Sequence, residues 1–318
     1  MKKRIIAGLL TVIMLAFGAG AAQAAAYPTK PINLIIAFTA GGSSDVQARI
    51  MQKYWVKYAN VEWNFIYKPG AGGAIGFTEI ARAKPDGYTI GGGNVPHMII
   101  QPFMQGAQYT IESFDYICQV VNDPQVVAVR KDSQFQGVRD VFDFAKANPG
   151  KLKLGLVGPN SGQHLMYLDV IGKFDFPVTP IFYKGTADQN VALLGGEIDV
   201  MFGNLNDVMR SMEEMRLLGI SSEQRDKVFV PDVPTLRELG MDVLSDIRRC
   251  FMAPKGLAPD HLKYLRDTFE KICKDPDYIQ DMIKAGQPVE YMSGEDFFAY
   301  MKEQQVLVEA ALKKADKK

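Results

Sequence analysis

The chain has 318 residues, with 36 Lys and Arg against 36 Asp and Glu and a formal net charge of zero at pH 7. That balance excludes an electrostatic drive towards nucleic acid or an anionic membrane surface. Its three histidines, His97, His164 and His261, lie far apart without metal-ligand spacing, so neither a metal nor a cofactor is expected.

Residues 1–26 read as an export signal. Lys2-Lys3-Arg4 form a charged start, Ile5 to Phe17 an apolar core, and Ala22-Gln23-Ala24 a cleavage site, with cutting expected after residue 24 or 26. The apolar stretch is too short to span a bilayer as a mature helix, and no later stretch is long and apolar enough. The first cysteine is Cys118, so no lipid anchor is read near the cleavage point. The exported remainder, 33 basic against 36 acidic residues, is ample for two α/β domains. Cys118, Cys250 and Cys273 allow at most one disulfide, and their spacing favours isolated buried thiols.

Pro28-Thr29-Lys30-Pro31 leads into an apolar strand, Leu34–Phe38, which breaks into Thr39-Ala40-Gly41-Gly42-Ser43-Ser44-Asp45. A helix follows, with apolar positions at Val46, Ile50, Met51, Tyr54, Trp55 and Tyr58. Ser44 and Gln47 have capping-box spacing. Three more units repeat this strand–loop–helix order. Trp63–Tyr67 runs into Lys68-Pro69-Gly70-Ala71-Gly72-Gly73, Leu152–Val157 into Gly158–Gln163, and Val178–Tyr183 into Lys184-Gly185-Thr186. Tyr88–Gly92 is a further strand ending in a polar loop with Asn94 and His97. Phe114–Val121 and Val126–Val129 read as two strands parted by Asn122-Asp123-Pro124. Val138–Ala147 is an amphipathic helix, Ile198–Phe202 opens into Gly203–Asp207, and Leu218–Ser221 is one more short strand. After a strand at Arg248–Pro254, only the helices Pro259–Lys274, Pro276–Ala285 and Glu295–Lys314 are expected.

Glycine pairs at strand-to-helix junctions make tight turns and leave amides open to a small anion. One such loop would mean little. Four at strand ends predict a single cleft, where open α/β sheets bind ligands. The predicted organisation is an α/β, two-lobed molecule. Residues 27–125 plus 252–318 form a discontinuous first lobe, 126–251 the second, with a hinge near 123–127 and 249–251.

Enzymatic motifs are weak. Gly-x-Ser-x-Gly fails because Ser161 sits one position late. The dinucleotide pattern fails at Ile75, and no P-loop exists. Ser161 and His164 could share a face as an exported hydrolase's pair, but no third group is assignable. An interaction protein with a vestigial cleft is another open alternative. Asp45 is expected to brace its loop, Asn204 and Asn206 are neutral donors at a strand end, and Arg248 could clamp a second carboxylate.

Seven motifs together resemble one family. They are Tyr27–Ile32, Phe38–Asp45, Lys68–Gly76, Pro85–Thr89, Ala147–Lys151, Tyr183–Gly185 and Pro231–Thr235. In this order they look like the tripartite tricarboxylate transporter substrate-binding proteins, the Bug-type periplasmic receptors. The resemblance implies a type II-like periplasmic-binding-protein fold, each lobe a mostly parallel sheet flanked by helices. It also implies a non-enzymatic, monomeric periplasmic receptor that closes over a small organic carboxylate and delivers it to a membrane permease. In that family backbone amides and water hold the carboxylate in the loops matching Thr39–Asp45 and Pro69–Ala74.

The ligand-contact set so implied takes Phe38, Thr39, Gly41, Gly42, Ser43 and Asp45 from the first loop and Ala71, Gly72, Gly73 and Ala74 from the second. Asn94 and His97 join from the same lobe. The facing lobe gives Ser161, Gln163, His164, Lys184, Gly185, Thr186, Asn204 and Asn206, with Arg248 near the hinge. This chain departs from the family by having Thr39-Ala40 for prolines and Met201-Phe202-Gly203 for Met-Phe-Asp. Arg248-Arg249 stand near where a tryptophan is common. The missing aspartate argues against amino acids, and an arginine favours a second anionic group, as in the tricarboxylate-type branch.

Overall fold

The computed structural model describes residues 27–159 and 161–315, and the side chains up to residue 309. The expected export signal, residues 1–26, lies outside the described residues. Strands β1 (Ile32–Ile36), β2 (Trp63–Tyr67) and β3 (Thr89–Val95) are parallel, with β1 in the middle. β5 (Lys153–Val157), β6 (Thr179–Tyr183) and β7 (Val200–Asn204) form a second parallel trio around β5. The inner strands β1, β3, β5 and β7 are largely buried because helices cover both faces, while the edge strands β2 and β6 are mostly half-buried or exposed.

Two long antiparallel strands join the trios. β4 (Phe114–Arg130) and β9 (Asp246–Pro254) pair from Phe114 with Pro254 to Pro124 with Asp246. β9 also pairs with β3, while the far end of β4 pairs with β7 and with β8 (Met215–Ile220). The sheet order is β2-β1-β3-β9-β4-β7-β5-β6, so each half is mixed rather than mostly parallel. Two expected strands are thus one: β4 runs straight through Pro124. A proline breaks a strand only where its missing N–H is needed, and here β4 is changing partners. β9 already pairs with β3 at Arg248, so this strand joins the first half a few residues before the expected 249–251 crossing. A tenth strand, β10 (Val289–Ser293), pairs with β4 where only helices were expected.

Each half has a core on both sheet faces. In the first, α1 (Ser43–Ala59) and α8 (Pro259–Cys273) pack Trp55, Trp63, Phe251 and Phe269 together, with Phe251 and Phe269 rings 4.9 Å apart. Removing one such ring costs about 3–5 kcal/mol. α9 (Pro276–Lys284) adds Tyr278 and Met282 to this core, while α2 (Ala74–Arg82), α3 (His97–Met104) and α10 (Gly294–Ala315) cover the opposite face. In the second half, α4 (Val138–Ala147) and α5 (Gly162–Lys173) cover one face, and α6 (Thr186–Leu194) and α7 (Leu205–Met209) the other. Cys118, Cys250 and Cys273 are buried free thiols. Among the described residues no helix is long and apolar enough to cross a membrane.

Candidate functional site

The strand ends of both halves meet around one small cavity of about 30 Å³. The first half contributes Phe38, Thr39, Gly42, Ser43, Ser44, Asn94 and His97, and the second Val157, Gln163, Thr186 and Asn204. Ile247 and Arg249 of β9 complete the wall. The halves touch around it. Arg210 Nη1 donates to the Gly41 carbonyl at 2.9 Å, Ser43 Oγ donates to Asn206 Oδ1 at 3.1 Å, and Ser43 also donates to Asp207. Gly185 packs closely on the first half: a Cβ there would lie 2.3 Å from Thr39 Oγ1, so that hydroxyl would have to move.

At one end of the cavity two helices begin without a side-chain cap. Gly42 precedes α1 and Gly185 precedes α6. The amides of Asp45 and Val46 return to the Gly42 carbonyl, whereas those of Ser43, Ser44, Thr186 and Ala187 have no acceptor among the described residues. Such orphan donors, with the partial positive charge of a helix start, suit a carboxylate. The capping box expected from Ser44 does not form. Gly42 is the cap residue, and the Ser44 hydroxyl turns to Asn94 Oδ1 at 3.3 Å.

At the other end lie ionisable side chains. Arg249 is 1% exposed and donates through Nη1 to Asp123 Oδ2 at 2.8 Å, while Asp123 is fully buried. Asp123 Oδ1 accepts from the Asn206 amide at 3.1 Å. Burial raises the Asp123 carboxyl to about 6; Arg249 pulls it down and Asp207 pushes it further up. Burial, then the nearby Arg249 charge, lowers His97 to about 3, leaving a neutral imidazole. Arg249 Nε, His97 Nδ1, Thr39 Oγ1 and Asn204 Oδ1 are buried without hydrogen-bond partners among the described residues. A buried polar atom left unpaired costs about 1–3 kcal/mol, so four around one cavity point to a ligand.

The structure brings nine of the expected contacts to the cavity wall: Phe38, Thr39, Gly42, Ser43, Asn94, His97, Gln163, Thr186 and Asn204. Others stand behind it. Asp45 is spent inside its loop, accepting from the Gly41 amide at 2.8 Å, Arg49 at 3.0 Å and Tyr67 at 2.8 Å, so bracing wins over contact. Gly41 touches Arg210 instead of the cavity.

The Ala71–Ala74 turn lies beside the cavity. Gly72, at φ +59°, sits close to Gly158 and accepts from Gln101 at 3.3 Å, while Gly73 packs on Phe77. Ala71 and Lys184 are exposed, and Gly185 sits against Thr39.

Asn206 is used up by Ser43, Asp123 and Gln287. Ser161 caps α5 by accepting from the His164 amide at 3.2 Å. His164 lies edge-on to Phe182, with ring centroids 5.1 Å apart. The serine hydroxyl thus serves the start of α5.

Arg248 is the clearest correction. Its guanidinium reaches Glu290 at 3.1 Å and lies 4.4 Å from the Tyr300 ring, on the side away from the cavity. Neighbours on a strand face opposite ways, so Arg249 takes the inward position. Ser44, Val157 and Ile247 also went unforeseen. Val157 ends an expected strand, the one signal that could have found it.

Comparison with known proteins places the chain in a family. A family model described as "Tripartite tricarboxylate transporter family receptor" matches residues 64–316. A Cupriavidus necator protein named "UPF0065 protein in gbd 5'region" is 30% identical over 301 residues, 94% of this chain and 91% of its own. A solved "periplasmic transporter" is 31% identical with a TM-score of 0.86, over 91% of this chain and 98% of its own. The Rhodopseudomonas palustris protein MatC, solved with bound malate, shares the fold at 20% identity, with a TM-score of 0.83 over 90% of this chain and 99% of its own. With the family match spanning most of the sequence and a near-full-length relative beside it, the chain belongs to the tripartite tricarboxylate transporter receptor family.

Proposed function

We propose that this chain is a periplasmic solute-binding receptor, not an enzyme, that captures a small organic carboxylate and delivers it to a tripartite tricarboxylate-type permease. One observation carries this reading: the two uncapped starts of α1 and α6, one from each half, border the same cavity through Gly42, Ser43, Ser44 and Thr186. A carboxylate bridging them would satisfy amides of both halves at once, and so stabilise the closed arrangement. MatC, with its bound malate, has the same fold and supports a small organic acid as ligand.

The lobes of this reading are 27–125 with the returning C-terminal segment, and a second lobe from 126 to the start of β9 at Asp246, a few residues short of the expected 251. Its hinge lies where β4 and β9 pass between the halves, near Asp123–Val127 and Asp246. The exported protein is expected to work as a monomer.

The test is a thermal-shift screen of protein unfolded and refolded to remove co-purified ligand, against mono-, di-, tri- and aromatic carboxylates and amino acids. A ligand at about 100 times its Kd adds about 2.7 kcal/mol of stability. Stabilisation by one class of acid is the expected result. No response to any carboxylate would overturn the reading.

A further inference from the structure

Arg249 is an unusual group to leave half-used. Its charge is buried, yet only Nη1 is bonded, to Asp123, while Nε has no partner among the described residues. It lines the same cavity as the starts of α1 and α6. An arginine edge with a free N–H suits a planar carboxylate.

The acidic groups around the cleft are, by contrast, already engaged. Asp45 pairs with Arg49 at 3.0 Å, Asp123 with Arg249 at 2.8 Å and Asp207 with Arg210 at 2.6 Å. Among the described residues lining or backing the cavity, no carboxylate is without an arginine partner to receive a ligand's ammonium group, and Arg249 would repel one. Phe38, Val157 and Ile247 supply apolar wall between the polar groups.

We infer that Arg249 is the specificity-determining residue of this site, seating the second carboxylate of a short, unbranched diacid whose first carboxylate lies at the starts of α1 and α6. This rests on the receptor reading and sharpens it: monoacids leave the Nε edge of Arg249 unpaired, and α-amino diacids bring a cation that finds no partner. Removing one member of a buried hydrogen-bonded contact to a charge costs about 10- to 100-fold in affinity.

The experiment is isothermal titration of the refolded protein with succinate, glutarate and adipate. Each is compared with the monocarboxylate of equal carbon number, and L-aspartate and L-glutamate with the diacid of theirs. The expected result is a preference of about 30-fold for at least one diacid over both its monoacid and its amino counterpart. In the double variant D123N/R249Q, which removes both charges and leaves no buried ion alone, the preference for that diacid over its monoacid falls to about one. Circular dichroism melts verify that the variant is folded.

Equal binding of monoacid and diacid at every length, or a preference surviving in the folded double variant, would overturn the assignment while leaving the receptor standing. Amino diacids binding as tightly as plain ones would overturn it too. Binding of no acid at all would remove the receptor reading, and this inference with it.

Discussion

The two ends of the cavity solve the same problem, holding charge away from water, by different means. At the starts of α1 and α6 the protein offers backbone amides set by glycine turns, with the hydroxyls of Ser43, Ser44 and Thr186 beside them and Asp45 spent inside its own loop. At the β4–β9 crossing it offers Arg249 and Asp123, and the start of α3 adds His97, all buried. In the proposed receptor the amide end would accept a carboxylate of almost any parentage, because amide donors read only the carboxylate. On that reading discrimination and pH response belong to the side-chain end.

The largest expected effect separates the ends by pH. His97 is held at about 3 in the fold against an ordinary 6.5, so the unfolded chain binds more protons between those values. Its contribution to stability is present above about 6.5 and is lost as the pH falls towards 3. Asp123, raised to about 6, acts oppositely: its contribution is present below about 4 and lost as the pH rises through 6. His97→Gln should abolish an acid-side loss of at most about 5 kcal/mol, seen in urea unfolding from pH 3.5 to 7.5. An unchanged slope in the variant would mean that the imidazole is not the source.

Next in size is Gly42→Asp, which gives α1 a carboxylate cap of its own. The new side chain would compete for the amides assigned to the ligand, and carboxylate affinity should fall about 100-fold by calorimetry. Retained affinity would erase the distinction between the two ends. The smallest effect is a control. Ser161→Ala removes the cap of α5, which the structure shows to be self-satisfied. It should cost about 1 kcal/mol of stability with little change in ligand affinity, and a collapse of binding would return Ser161 to the site.

The backbone end was legible in the sequence because glycine carries its conformational meaning locally. Gly41-Gly42 and Lys184-Gly185 mark turns whatever surrounds them. The side-chain end was not. Which of Arg248 and Arg249 faces inward depends on the register of β9 against β3 and β4, strands more than a hundred residues earlier, and shifting by one residue exchanges the two faces. Pro124 misled for a related reason. Locally it reads as a break, but β4 passes through it because its partners change there. β10 was lost among helices, since five residues of mixed character gain their identity only from pairing with β4. Asp45 showed the reverse case, where the local rule about helix starts foretold its bracing role and the loop it sits in suggested contact.

The unbroken run of β4 from Phe114 to Arg130 has a mechanical consequence. A ribbon of two antiparallel strands resists stretching and shear through its hydrogen bonds but yields readily to twist. In the proposed hinge motion the twist would fall on β4 where it leaves β9, next to the Asp123–Arg249 ion pair.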